Sequence, residues 1–228
     1  MNNIGFIFAR GGSKGLPGKN IKLLMGKPLL QYSIDVARDT AQINKLFVST
    51  DDQAIADVAE SLGVEVIKRP AELASDTAPE WLAWQHALDY VEQRHGAIDA
   101  FISLPATSPL RVVEDVENAL TTWQREHADV CIGITRAARS PFFNMVKCQS
   151  DGTLAVVNRQ DGKFTRRQDV PEVFDITTVV YVIRPEFIRT ADNLFDGKVV
   201  GVEIPKTRAV DIDDVVDFVL AEALLKQQ

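Results

Sequence analysis

Apolar residues recur along the chain with two periods. Short runs rich in β-branched and aromatic residues, at 4–9, 45–49, 64–67, 100–104 and 129–134, alternate with stretches whose apolar positions repeat every three or four residues. The first such stretch, 29–40, follows Pro28 at a favourable early position. The next, 52–62, places Ile55, Val58, Ala59 and Leu62 on one face and stops at Gly63. A third, 79–95, ends at Gly96, and a fourth covers 113–127. Strand, helix, strand, helix at this spacing predicts parallel strands joined by right-handed crossovers, an α/β chain with three α/β/α layers.

Near Arg136 the rhythm changes. The pattern predicts a hairpin, with 144–148, a turn at Ser150-Asp151-Gly152, then 153–157, followed by a second turn at Asp161-Gly162. Parallel-sheet character returns at 177–183 and 199–204, and a helix over 214–226 closes the chain. No repeat, low-complexity segment or Pro/Gly/Ser linker divides 1–228, which predicts one domain with an inserted β-rich lobe at about 136–175.

Composition narrows the class. The 228 residues are 46% hydrophobic and 25% charged, the balance of a globular chain with a real core. A net charge of −7 argues against nucleic acid or an anionic membrane as the main partner. No run approaches the roughly 20 apolar residues of a membrane span. The opening MNNIGFIFAR has no basic segment ahead of its apolar run, which Arg10 interrupts, so no secretory signal is expected. Cys131 and Cys148 form no CxxC pair and there are three histidines, which fits a reducing cytoplasm and no zinc site.

Charge placement is more informative. Before residue 35 stand Arg10, Lys14, Lys19, Lys22 and Lys27 without a single acid, whereas 211–217 carry Asp211, Asp213, Asp214 and Asp217 without a base. Directly after the first strand, Gly11, Gly12, Gly15 and Gly18 punctuate a loop that also bears Arg10, Ser13, Lys14, Lys19 and Asn20. Glycines let backbone amides curl inward as an anion nest, and the charged and hydroxyl side chains add donors, so a polyphosphate cradle is expected. The loop is neither a Walker A nor a GxGxxG motif. Asp211 and Asp213, two apart, point the same way in an extended segment and suit a hard cation such as Mg²⁺, while Asp214 or Asp217 caps the following helix. Cradle and carboxylate pair together predict metal-assisted phosphoryl or nucleotidyl transfer. Thr107, Ser108 and Arg111, in a proline-stiffened loop after the fourth strand, suit a polyol, carboxylate or phosphate. The lobe is basic, with Arg136, Arg139, Lys147, Arg159, Lys163, Arg166 and Arg167, which suits an acidic substrate or neighbouring subunit.

Residues 9–20 (ARGGSKGLPGKN), 69–78 (RPAELASDTA), 107–111 (TSPLR), Arg167-Gln168 and 211–213 (DID) run in this order along the chain. Together they resemble the acylneuraminate cytidylyltransferases, the CMP-sialic acid synthetases. The resemblance implies a Rossmann-like nucleotidyltransferase fold whose small lobe serves dimerisation, Mg²⁺ as cofactor, and CTP with a nonulosonic acid sugar as substrates in a cytoplasmic homodimer. It implies catalytic roles for Arg10, Lys14 and Asp213 and metal binding by Asp211 and Asp213. Gly11, Gly12, Ser13, Lys19 and Asn20 fall at CTP-binding positions, Arg69 and Asp76 on the nucleotide side, and Thr107, Ser108, Arg111, Arg167, Gln168 and Tyr181 on the substrate side.

Two departures stand on the sugar side. Pro105-Ala106 precede the TSPLR segment where many relatives read Gln-Pro, and Thr177-Thr178 precede Tyr181 where many read Asn-Gly. A β-branched residue cannot replace glycine at positive φ or close approach, so a sugar pocket of altered shape is expected. Legionaminic acid, and after it pseudaminic acid, stand as alternatives to N-acetylneuraminic acid. Rival readings are a nucleotidyltransferase for Kdo or a molybdopterin cofactor, a non-catalytic nucleotide-binding module, and a P-loop kinase or ATPase. The DID and RRQ (166–168) segments disfavour the first, Lys14 with the aspartate pair the second, and the missing Walker pattern the third.

Overall fold

The computed structural model describes residues 1–158, 166 and 169–227. In chain order come β1 (Asn3–Phe8), a short hairpin of β2 (Leu23–Leu24) and β3 (Lys27–Pro28), α1 (Leu29–Asp39), β4 (Lys45–Thr50), α2 (Gln53–Ser61) and β5 (Glu65–Lys68). Next are α3 (Glu80–His95), β6 (Ala100–Ser103), α4 (Val113–Glu126), β7 (Val130–Arg136), β8 (Val146–Cys148) and β9 (Leu154–Val156). The chain continues through β10 (Phe174–Ile183), α5 (Pro185–Thr190), β11 (Val199–Glu203) and α6 (Val215–Leu225).

Seven strands form one sheet in the order β11-β7-β10-β6-β1-β4-β5. Side chains of β1 alternate between its faces as a doubly covered strand requires. Ile7 and Ala9 pack under α1, α2 and α4 with Ile34, Ile55 and Leu120, while Ile4 and Phe6 pack under α3 with Phe47, Phe101 and Leu88. The rings of Phe6 and Phe101 stack with centroids 4.2 Å apart. The α/β/α layering expected from the alternation of elements is therefore present. Local chemistry sets the helix ends: Asp52 accepts from the Ile55 amide at the start of α2, and Gly63 (φ 72°) and Gly96 (φ 79°) follow α2 and α3.

One expectation needs correcting. β10, read as a parallel strand, runs antiparallel to both β6 and β7. Val179, Val180, Val182 and Ile183 are all fully buried, and an apolar run covered on both faces carries no sign of direction. β10 enters the sheet at the end where β7 leaves it, as their antiparallel pairing requires, and the β8–β9 hairpin lies between the two in sequence. β10 also bulges: Ile176 stands opposite Ile134 but Tyr181 opposite Ile132, so residues 177–180 leave the ladder.

Candidate active site

The strands β1, β4, β5 and β6 are mutually parallel and end on one rim. From β1 the chain winds outward to β4 and β5, then crosses to β6 on the other side of β1. Such a reversal opens a crevice at the carboxyl ends of the strands. A cleft of about 610 Å³ lies there. Its wall takes Arg10, Ser13, Lys14, Gly15, Lys19 and Asn20 from the loop after β1, Arg69 and Asp76 from beyond β5, Thr107 from beyond β6, Tyr181 from β10, and Asp211 and Asp213 from the segment before α6.

The loop after β1 is anchored at several points. The Asn20 amide donates to the Arg10 carbonyl at 3.0 Å, and Lys19 donates to the Ile212 carbonyl at 2.6 Å and pairs with Asp213 at 3.0 Å. Gly15 is required by close approach, since a Cβ there would stand 2.4 Å from the Asp213 carbonyl oxygen. The basic loop and the acidic segment, 196 residues apart between Gly15 and Asp211 in sequence, thus close on one another. Arg10 and Lys14 both reach the Asp76 carboxylate, at 2.7 and 2.6 Å, and Lys14 with Arg10 holds that carboxyl below the usual carboxylate range.

The amide nest is not what Gly11 supplies. Its N–H donates to Asp51 Oδ1 at 3.1 Å, and neither Gly11 nor Gly12 is part of the cleft wall. Gly11 instead accommodates Asp52, whose Oδ2 would stand 2.6 Å from a Cβ at that position. Side chains of Arg10, Ser13 and Lys14, rather than the first two glycine amides, face the cleft.

The acidic segment divides as its spacing suggested. Asp214 accepts from the Val216 and Asp217 amides, and Asp217 accepts from those of Asp213 and Asp214, which completes a capping box at α6. Asp211 and Asp213 are left to the cleft. Asp211 is drawn inward because the Ile212 amide donates to the Thr107 carbonyl at 2.9 Å. Burial, with the charge of Asp213, raises its pKa against the opposing pull of the nearby Thr107 and Thr178 hydroxyls. Its Oδ1 is buried with no hydrogen-bond partner among the described residues. An oxygen so placed, beside a second carboxylate, matches the hard-donor chemistry of Mg²⁺, which commonly takes one or two carboxylates and completes its shell with substrate phosphates and water. Among the described residues no cluster of three or more His, Cys, Asp or Glu side chains forms a fuller protein cage.

Ser108 and Arg111 stand behind the cleft wall rather than on it. Arg111 is 3% exposed and donates to the Val179 carbonyl, to Ser33 Oγ at 2.9 Å, and to the carbonyls of Pro105 and Thr178 at 2.8 and 3.2 Å. Burial pulls its pKa down to about 9. Its substrate-side role is corrected to that of a clamp holding the β6 loop against the bulge of β10. Ser108, 1% exposed, bonds Thr178 Oγ1 at 2.7 Å. Arg69 is also largely buried, donates twice to Ser49, and lies 5.5 Å from the Phe8 ring centroid, but it still borders the cleft. Arg167 and Gln168 lie outside the described residues. Tyr181 borders the cleft beside Trp84, and burial pushes its pKa up to about 12.

Sequence reasoning passed over Phe8 and Glu80 and met Thr178 only as a departure on the sugar side; all three line the cleft. Phe8 reads as an ordinary strand residue and Glu80 as an ordinary helix start. Only the β10 bulge makes a wall residue of Thr178.

A family model described as cytidylyltransferase matches residues 4–212. The post-translational flagellin modification protein B of Campylobacter coli is 36% identical over 225 residues, which cover 97% of this chain and 94% of that one. The CMP-N,N'-diacetyllegionaminic acid synthase of Campylobacter jejuni is 33% identical over 222 residues, 96% of this chain and 93% of its own. A solved structure of a CMP:2-keto-3-deoxy-manno-octonic acid synthetase complexed with CTP shares the fold, with a TM-score of 0.71 at 17% identity over 100% of this chain and 99% of that one.

Proposed function

Because the chain belongs to the cytidylyltransferase family, we propose that it transfers CMP from CTP to the anomeric hydroxyl of a nonulosonic acid and releases pyrophosphate. The observation that carries this reading is the single cleft in which Arg10 and Lys14 face Asp211 and Asp213, an arrangement suited to a polyanionic leaving group at one end and a cation at the other. A legionaminic-type acceptor is favoured by the 33% identical relative and by Pro105, Ala106 and Thr178 in the wall. N-Acetylneuraminic acid is the second reading, favoured by the ARGGSKGLPGKN and TSPLR segments.

In the reaction the anomeric oxygen attacks the α-phosphorus, the bond to the β-phosphate oxygen breaks in line, and pyrophosphate leaves. Arg10 and Lys14 exchange the Asp76 carboxylate for the β- and γ-phosphates and offset the charge that develops on the leaving group. Lys19 holds Asp213 in place, and the hydroxyl proton passes to a carboxylate oxygen of Asp213. Asp211 and Asp213 would hold Mg²⁺, which when bound lowers the pKa of a coordinated hydroxyl and polarises phosphoryl oxygens.

The same reading includes a cytoplasmic homodimer joined through the 136–175 lobe. Among the described residues no helix is long and apolar enough to cross a membrane. An isolated two-stranded hairpin is marginal, and Met145, Val146 and Leu154 of the β8–β9 region are exposed, which suits cover by a second copy.

Pyrophosphate release from CTP and Mg²⁺ tests the proposal, run in parallel with N,N'-diacetyllegionaminic, N-acetylneuraminic and pseudaminic acids, Kdo, or no sugar. Release that depends on one nonulosonic acid is expected. Release with Kdo alone, or binding of CTP without release in every well, contradicts it.

A further inference from the structure

Glu80 opens α3 and its side chain lines the cleft, although nothing in the reaction above uses it. The charges it faces are those of Arg69 and Asp211. Trp84, one turn along α3, packs its ring 5.7 Å from that of Tyr181, which in turn feels the charges of Glu80 and Asp211, and its indole nitrogen is buried without a hydrogen-bond partner among the described residues. Glu80 and Tyr181 therefore share the cleft with the carboxylate assigned to the metal, and Trp84 is buried behind Tyr181.

The other acids of the cleft already have partners or a role. Asp76 meets Arg10 and Lys14, Asp213 meets Lys19, and Asp211 is the buried carboxylate assigned to the metal. Arg69, the base that faces Glu80, is fixed by its two bonds to Ser49 and cannot swing out to cover it. A carboxylate has room for about four hydrogen bonds. Those acceptor positions stand in a corner beside the phenol of Tyr181, a surface that suits the apolar face of a sugar ring or an acyl methyl.

We propose that Glu80 is a specificity-determining residue for the acceptor sugar: its carboxylate accepts a hydrogen bond from a hydroxyl or amide N–H of that sugar and repels a second anionic group from this corner. The inference rests on the cytidylyl-transfer reading. It names the chemistry of the substituent at this position, an uncharged hydrogen-bond donor beside an apolar group.

The test uses the full chain with CTP and Mg²⁺, comparing wild type, Glu80→Gln and Glu80→Ala by steady-state pyrophosphate release with each substrate varied in turn. N,N'-Diacetyllegionaminic and N-acetylneuraminic acids serve as the two acceptors. Loss of one hydrogen bond to a charged acceptor predicts a KM for the preferred sugar raised roughly tenfold or more in Glu80→Ala. The rise should be smaller in Glu80→Gln, whose amide oxygen still accepts. KM for CTP should stay within twofold in both, and the ratio of kcat/KM between the two sugars should change. Glu80→Gln is nearly isosteric, and its thermal shift with CTP reports an intact nucleotide half. A raised KM for CTP with unchanged sugar KM would place Glu80 on the nucleotide, and unchanged values for both would leave it a helix-start residue. Either outcome overturns the inference while leaving cytidylyl transfer intact. A wild-type enzyme silent with every sugar overturns both.

Discussion

Asp211 and Asp213 lie two residues apart and have different surroundings. Asp213 is exposed and paired with Lys19, while Asp211 is partly buried with its Oδ1 unpartnered among the described residues. Asp213→Asn keeps the shape but removes a hard ligand and a proton acceptor. Its kcat is expected to fall by about 10²–10³ with an unchanged melting temperature; near-normal turnover would remove the role assigned to it. Asp211 ionises at higher pH in the folded chain than in the unfolded one, so its ionisation costs stability as pH rises through the ordinary carboxylate range to the raised folded value. Asp211→Asn is therefore expected to raise Tm at neutral pH without added metal and to lose activity, the gain vanishing below the ordinary carboxylate range, where both states are protonated. Calorimetry at neutral and acid pH reads this directly. Lys14→Ala removes one charge-assisted contact, and kcat/KM for CTP should drop roughly tenfold to a hundredfold.

Elements place these residues, and their junctions are where change is most costly. Gly15→Ala puts a Cβ against the Asp213 carbonyl, backbone against backbone, so the loop after β1 must move away from the acidic segment. Activity should fall about a hundredfold while circular dichroism stays the same, since a displacement near 1 Å is enough. Arg111→Ala would leave the Pro105, Thr178 and Val179 carbonyls and Ser33 Oγ without their buried donor. A loss of about 3–5 kcal/mol is expected in denaturant unfolding. Wild-type stability with a selective rise in sugar KM would instead return Arg111 to the substrate. At this scale most of the fold was legible in sequence, because period and punctuation mark α1 to α4 and α6 to within a residue or two. The direction of β10 and its bulge were not. A run buried on both faces has no polar alternation, and register depends on residues 130–136 of a partner strand. The cleft lining was legible where charge is segregated, since Arg10, Lys14, Asp211 and Asp213 all border it. It was misread where a guanidinium meets backbone carbonyls, as at Arg111, because a buried clamp and a ligand hook have the same letter. Glu80 escaped notice because its position in the cleft depends on the tertiary contact of α3 with β10.

Over the whole molecule, a net charge of −7 coexists with a cleft in which Arg10, Lys14 and Lys19 are gathered on one loop, a local cationic site for an anionic substrate on an acidic protein. The central claim is that this cleft joins a cytidylyl group to an acidic sugar. Mass spectrometry of the product after incubation with CTP, Mg²⁺ and N,N'-diacetyllegionaminic acid tests it most directly. A single ion at the mass of the CMP-sugar ester, absent when the sugar is omitted and absent for Asp213→Asn, is the predicted result. CMP or CDP formed without a sugar adduct, or an adduct that forms equally well with Asp213→Asn, would contradict the account.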